Sequence, residues 1–185
     1  SINGASPADI RFQMIQYAIY NKYEAILFSD LDDFYSNNRI KKAKQYLNKF
    51  DIYVNNLIPV NEDSKIIDNC IFGKFNSNIS VYNILDSNFL GLSHTAIKTS
   101  IIPKNFYIPS DLIAVDWWLF SILLLYERNI FFDDKTITYY RQHKNNIAGF
   151  YDRLSDEKLD TGIKVKMNHY QHLFNSVFFS SSSIR

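Results

Sequence analysis

The decapeptide Glu24-Ala25-Ile26-Leu27-Phe28-Ser29-Asp30-Leu31-Asp32-Asp33 decides the reading of this chain. Four apolar residues run into a cluster of three carboxylates. A short apolar run bounded by polar residues reads as a buried strand, and acids at its carboxyl end stand where open α/β sheets bind ligands. In an extended segment, alternation aims Asp30 and Asp32 the same way. Two converging carboxylates repel unless a positive group lies between them. A divalent cation, Mn²⁺ or Mg²⁺, shared with substrate phosphates is one such group. A solvated turn whose acids cap the next helix is the other reading, and this motif alone does not separate the two.

Working outward, Ser6-Pro7-Ala8-Asp9 has an N-cap, a first-turn proline and a first-turn acid. It predicts a helix with Ile10, Met14, Tyr17 and Ala18 on its apolar side. The pattern over 38–50 predicts a second helix, with Ile40, Ala43, Tyr46, Leu47 and Phe50 on one side and lysines on the other. Strands are expected over 51–60 and 64–75, a short helix after Gly91, and a buried helix over 112–127 that starts near Pro109-Ser110-Asp111. Two short strands are expected over 129–133 and 136–141. An amphipathic helix is expected over 156–178, its face made by Leu159, Ile163, Met167, Tyr170, Phe174 and Val177, before a frayed serine run at 180–183. Strands alternating with helices give an α/β class.

Composition narrows the function. The chain has 185 residues, 46% hydrophobic and 21% charged, with a net charge of +1. This excludes a disordered or fibrous protein and removes the case for a strongly basic nucleic-acid binder. The single cysteine, Cys70, forms neither an internal disulfide nor a multi-thiolate metal site. The longest strongly apolar run, 117–126, is too short to span a bilayer, and no secretory signal opens the sequence. The expected location is the cytoplasm, with association at the inner face of a membrane left open.

Three further features carry chemistry. Asp116, in Val115-Asp116-Trp117-Trp118-Leu119, enters an apolar helix beside two large aromatics. It reads either as a base of raised pKa or as a helix-start acid favoured by the helix dipole. One of the two tryptophans is expected in the core and the other along a cleft. Arg141 and His143, in Tyr139-Tyr140-Arg141-Gln142-His143 with Asn145, Asn146 and Gly149 following, suit a phosphate or a metal, or simply a surface strand end. Among weaker signals, Asn3-Gly4 with Arg11 suits an anion near the first helix, and His94 suits a pocket wall. His169 and His172 read as a polar helix face rather than a two-ligand metal site.

Asp30-Leu31-Asp32-Asp33, Gly91-Leu92-Ser93-His94-Thr95-Ala96-Ile97-Lys98, Asp116-Trp117-Trp118-Leu119 and Tyr140-Arg141-Gln142-His143-Lys144-Asn145-Asn146-Ile147 together resemble glycosyltransferase family 2, the inverting GT-A enzymes. The likeness is strongest to the bacterial branch that builds polysaccharides. It implies a partial GT-A, Rossmann-like mixed sheet flanked by helices: a catalytic region over 1–150, and a helical extension and tail over 151–185. It also implies a metal-dependent transfer of a sugar from a UDP- or dTDP-sugar donor to a saccharide or lipid-linked saccharide acceptor. Asp30 would hold the donor ribose or the metal, and Asp32 the metal, with Asp33 assisting nearby. Asp116 would be the base. His143 would reach the metal or diphosphate, Arg141 would support it, Gly91 would shape the pocket and Arg11 would line the donor side. The family's nucleotide-base-binding segment precedes its acidic motif. With Asp30 this near the start, the expectation is a chain lacking that segment. Two alternatives stand beside this one. One is a non-catalytic carbohydrate-binding or assembly module on a degenerate transferase fold. The other is a phosphatase of the haloacid-dehalogenase type, with Asp30 as nucleophile and Phe34 as its departure.

Overall fold

In a computed structural model, residues 4–67, 79–143 and 155–176 are described. Asn3, Cys70, Asn145, Asn146, Gly149, the outer part of the strand expected over 64–75 and the serine tail lie outside them. Helix α1 (Pro7–Tyr20) begins as its sequence dictates. The Ser6 hydroxyl accepts the Asp9 amide at 3.1 Å, and the Asp9 carboxylate accepts the Ser6 amide at 3.0 Å, closing a capping box. Strand β1 (Ala25–Leu27) follows, then β2 (Phe34–Tyr35), α2 (Arg39–Leu47), β3 (Ile52–Val60), β4 (Thr95–Lys98), α3 (Val115–Leu125), β5 (Ile130–Arg141) and α4 (Asp156–Phe174).

The five strands form one mixed sheet in the order β1-β4-β3-β5-β2. β4 is antiparallel to β1 and to β3, β5 is parallel to β3, and β2 is antiparallel to β5. β1, β3 and β5 therefore all run the same way. The segments after β1 and β5, and those before β4 and β2, meet at one rim of the sheet.

Period-two alternation sorts side chains onto the two faces. Ile52, Val54, Ile97, Phe28 and Ile130 enter the main core with α1 and α3, while Tyr53 and Ala96 enter a smaller core under Ala43 and Leu47 of α2. The result is an α/β arrangement in which helices flank both faces of a mixed sheet. No helix among the described residues is long and apolar enough to cross a membrane.

Several expectations are corrected. β1 is an edge strand and only partly covered, not a buried one. The segment after Gly91 is a 3-10 turn over Leu92–His94 that leads into β4, a strand absent from the sequence reading. The helix expected from 112 starts at Val115. The two strands expected over 129–141 are one. Asn55 pairs with Asp133 and Asn56 with Ile137, so Asp134, Lys135 and Thr136 bulge out between them. Asp133 is buried there and accepts hydrogen bonds from the Tyr53 and Thr136 hydroxyls at 3.0 and 2.7 Å.

α1 and α4 turn inward a stripe that overlaps only in part with the one the periodicity suggests, while α2 keeps its expected face through Ala43, Tyr46 and Leu47 apart from Ile40. α1 buries Ala8, Ile15 and Ala18 and exposes Met14 and Tyr17, and in α2 Ile40 is exposed. α4 docks on α3 through His169 and Leu173, leaving Leu159, Ile163, Met167 and Phe174 exposed. His169 stacks on Trp117 with ring centroids 4.3 Å apart, and His172 pairs with Asp111 at 3.2 Å, so neither belongs to a solvated polar face. Trp117 and Trp118 are both core residues. Their indole N–H groups donate to the carbonyls of Ile84 and Tyr107, each at 2.8 Å, and both rings are buried, including the one expected along a cleft.

Candidate functional site

Asp30 to Asp33 do not continue the strand. Leu31 and Asp32 form a turn, with the Asp33 amide 3.4 Å from the Asp30 carbonyl. Strand alternation therefore does not operate there, and Asp30 and Asp32 take different partners. Asp30 accepts from the Arg11 guanidinium of α1 at 2.9 Å. Asp32 meets the His143 imidazole, Oδ2 to Nε2, at 3.1 Å. The carboxylate of Asp33 is clipped to the end of β5, where the Arg141 amide donates to its Oδ1 at 2.9 Å. The Arg141 side chain donates to the backbone carbonyls of Asp32 and Glu62, so it staples the acidic turn to the ends of β5 and β3.

Above this rim lies a cavity of about 310 Å³. Arg11, Asp30, Gly91, His94, Asp116 and Tyr140 all contribute to its wall. The acid after β1 and the acid at the start of α3 thus face a common space, although the sequence separates them widely. Asp32, Arg141 and His143 stand at the rim rather than in the wall.

Asp116 is half-buried as a residue, and its Oδ1 accepts the Trp117 amide at 2.8 Å, the role of a first-turn acid. Burial nonetheless raises its carboxyl pKa; the Trp117 amide pulls it down, Asp30 pushes it up and Arg11 opposes that. Asp33 is raised to about 6, first by burial, with Asp32 and Asp30 adding to it and the Arg141 amide and Ser93 side chain resisting. The Tyr140 phenol is pushed up to about 12 by burial and by the carboxylates Asp33, Asp30, Asp32 and Asp116 around it. Four carboxylates therefore act on one small space.

The opposing charge comes partly from a residue the sequence reading passed over. Arg39, first in a lysine-rich helix, looks solvated by pattern and is in fact buried. Its guanidinium donates to the carbonyls of Phe28 and Ser93 at 2.8 and 2.7 Å and to the Asn55 side chain at 2.9 Å, and it lies over the Tyr35 ring at 4.3 Å. It thereby ties the strand that carries the acidic turn to the turn that carries Gly91 and His94. Desolvation lowers its pKa, and Asp33 and Asp30 resist that shift. Arginine remains charged in proteins, so the site has a fixed internal cation.

Gly91 has a steric reason to be glycine. A Cβ there would stand 3.0 Å from His94 Cε1 and 4.0 Å from Asp116 Oδ2. The His94 ring is buried, its pKa lowered to about 4 by desolvation, so the neutral Nε2–H donates to the Phe89 carbonyl at 3.0 Å.

Asp32 and His143 offer a carboxylate and an imidazole in contact, a donor pair that suits Mn²⁺ better than Mg²⁺. Among the described residues no three metal-type ligands converge, so a cation at this rim would take its remaining ligands from phosphate or water oxygens. Asp30, engaged by Arg11, stands apart from that pair. No family model matches the chain, and no curated protein matches it.

Proposed function

We propose that the chain is a metal-dependent inverting glycosyltransferase, moving a sugar from a nucleotide-diphosphate donor to a saccharide acceptor in surface polysaccharide synthesis. The observation that supports this most is the shared cavity, whose lining includes both Asp116 and the Arg11–Asp30 pair. Single displacement needs a base for the acceptor hydroxyl and positive charge for the departing diphosphate. Asp116, whose burial raises its proton affinity, is the base in this reading. Arg11 supplies charge at the leaving-group side, and Asp32 with His143 would hold Mn²⁺, whose contribution when bound is to offset phosphate charge. Arg141 and Gly91 act indirectly, the first by fixing the acidic turn and the second by leaving room beside Asp116 and His94.

Titration calorimetry with UDP-, dTDP- and GDP-sugars, with and without Mn²⁺, tests the reading. One nucleotide sugar should bind, more tightly with metal. Asp116→Asn should leave that binding intact and lower transfer by about 100-fold or more. If no nucleotide sugar binds, the transferase reading fails. Saccharide binding without nucleotide binding would instead support a carbohydrate-binding module, a reading favoured by the prior engagement of Asp30 with Arg11. Hydrolysis of p-nitrophenyl phosphate that depends on Asp30 would support the phosphatase.

A further inference from the structure

At the other end of β1, away from the acidic turn, the α2 face of the sheet is incompletely covered. Cross-strand partners share a face, so Ala25 and Leu27 of β1 lie beside Lys98 and Ala96 of β4 on that side. α2 reaches over the centre of the sheet but leaves a trough of about 740 Å³ with Ala25, Leu27, Ala43, Leu47 and Ala96 in its lining. The small side chains create the hollow. Lys22, Lys44 and Lys98 contribute to the same lining against the one carboxylate of Glu24. Lys98 answers Asp51 at 3.6 Å, whereas among the described residues neither Lys22 nor Lys44 has a carboxylate within ion-pair distance. Helix α2, which contributes Lys44 to the lining, carries Lys41 and Lys42 as well and no acid.

Exposed apolar groups border this basic zone. Ile40 is 73% exposed, Tyr23 53% and Tyr17 63%, and the two tyrosine rings lie 6.4 Å apart. Tyrosine, an aliphatic side chain and lysine on one surface is the composition of a protein face seated in a lipid headgroup layer. There the lysines meet phosphates while ring and aliphatic groups reach the acyl boundary.

We propose that this trough and its lysine rim dock on an anionic phospholipid bilayer. Tyr23 and Ile40 enter the headgroup layer, and Lys22 and Lys44 pair with lipid phosphates. Charge complementarity selects anionic over neutral lipid, and the trough gives the contact an apolar component. The proposal does not depend on the catalytic reading, because none of Lys22, Tyr23, Ile40 and Lys44 lines the cavity that holds Asp30 and Asp116.

Flotation of the full chain with vesicles tests it. Binding is expected with phosphatidylcholine–phosphatidylglycerol vesicles and not with phosphatidylcholine alone, and high salt should weaken it. Lys22→Glu with Lys44→Glu should lower partitioning by about 25-fold or more, given roughly fivefold per lysine lost. Ile40→Asp, at an exposed position, should also weaken it. Lys164→Glu with Lys166→Glu, the same charge change on α4, should leave binding unchanged. Circular dichroism confirms that each variant is folded. The proposal is overturned by absence of binding to anionic vesicles, by equal binding to neutral ones, by an unchanged Ile40→Asp variant, or by equal losses in the two lysine pairs.

Discussion

Replacing His169 by glutamine isolates a buried neutral imidazole and should change how stability depends on pH. His169 is enclosed between α3 and α4, stacked on Trp117, with its Nε2 3.4 Å from the Ser121 hydroxyl. Burial, with a smaller contribution from His172, lowers its pKa from 6.5 to about 4. Below pH 6.5 the unfolded chain takes up a proton that the folded chain refuses until about pH 4, so folding weakens as pH falls through that window. Between pH 7.5 and pH 5 the loss is about 2 kcal/mol, from 1.4 kcal/mol per pKa unit.

The unmodified protein does not display this loss cleanly. His94 acts in the same direction, while the raised pKa values of Asp33 and Asp116 make the folded state take up protons first and strengthen it as pH falls. The difference between variant and parent cancels those groups. His169→Gln keeps a polar group for Ser121 and cannot ionise in this range. Urea unfolding followed by circular dichroism, at pH 7.5 and pH 5, should show the variant gaining about 2 kcal/mol relative to the parent on acidification. A difference that stays constant to within about 0.5 kcal/mol would refute a neutral, desolvated His169.

Other perturbations have equally definite outcomes. Arg39→Met strips buried carbonyls of their donor and should cost about 3–5 kcal/mol in unfolding experiments; Arg39→Lys should recover little, since an ammonium cannot span Phe28, Ser93 and Asn55. Gly91→Ala should cost about 1–3 kcal/mol and move the His94 ring signals in NMR, because the new methyl meets Cε1. Arg11→Ala breaks a partly exposed pair and should lower stability by less than about 1 kcal/mol, while weakening nucleotide-sugar binding measurably by calorimetry.

Local signals in the sequence carried furthest. The capping box of α1 needs only Ser6 and Asp9, and its start was legible. β3 is legible because its β-branched and aromatic residues lie on either side of Asn55-Asn56 and end at turn residues. Non-local facts were harder to read. β4 spans four residues directly behind a turn, so its strand character comes from pairing with β1 and β3 rather than from its own pattern. β5 looked broken at Asp134-Lys135 because a polar bulge imitates a turn. Periodicity located α4 and marked Tyr170, which packs against the core, but its other described face residues, Leu159, Ile163, Met167 and Phe174, are exposed. A helix with two apolar stripes does not state which one meets the core, and here stacking of His169 on Trp117 decided it.

At the site, sequence marked Asp30, Gly91 and Asp116, and the fold sets all three on one cavity. Strand alternation does not pair Asp30 with Asp32, because the turn at Leu31 and Asp32 sends them to Arg11 and His143. Arg39 was hidden by its neighbours, since an arginine at the head of a lysine run gives no sign of burial. Tyr140, one of two adjacent tyrosines in a strand, has no sequence feature that marks it as facing the cavity.

The parallel pairing of β3 with β5 has a kinetic consequence. The central strand acquires its longest neighbour only after the intervening chain, including β4 and α3, has been made and gathered in. Closing so large a loop before any ladder forms is entropically costly. Refolding should therefore be slow for a chain of this length, and a nascent chain stopped short of Ile130 would leave one edge of β3 without its strand partner.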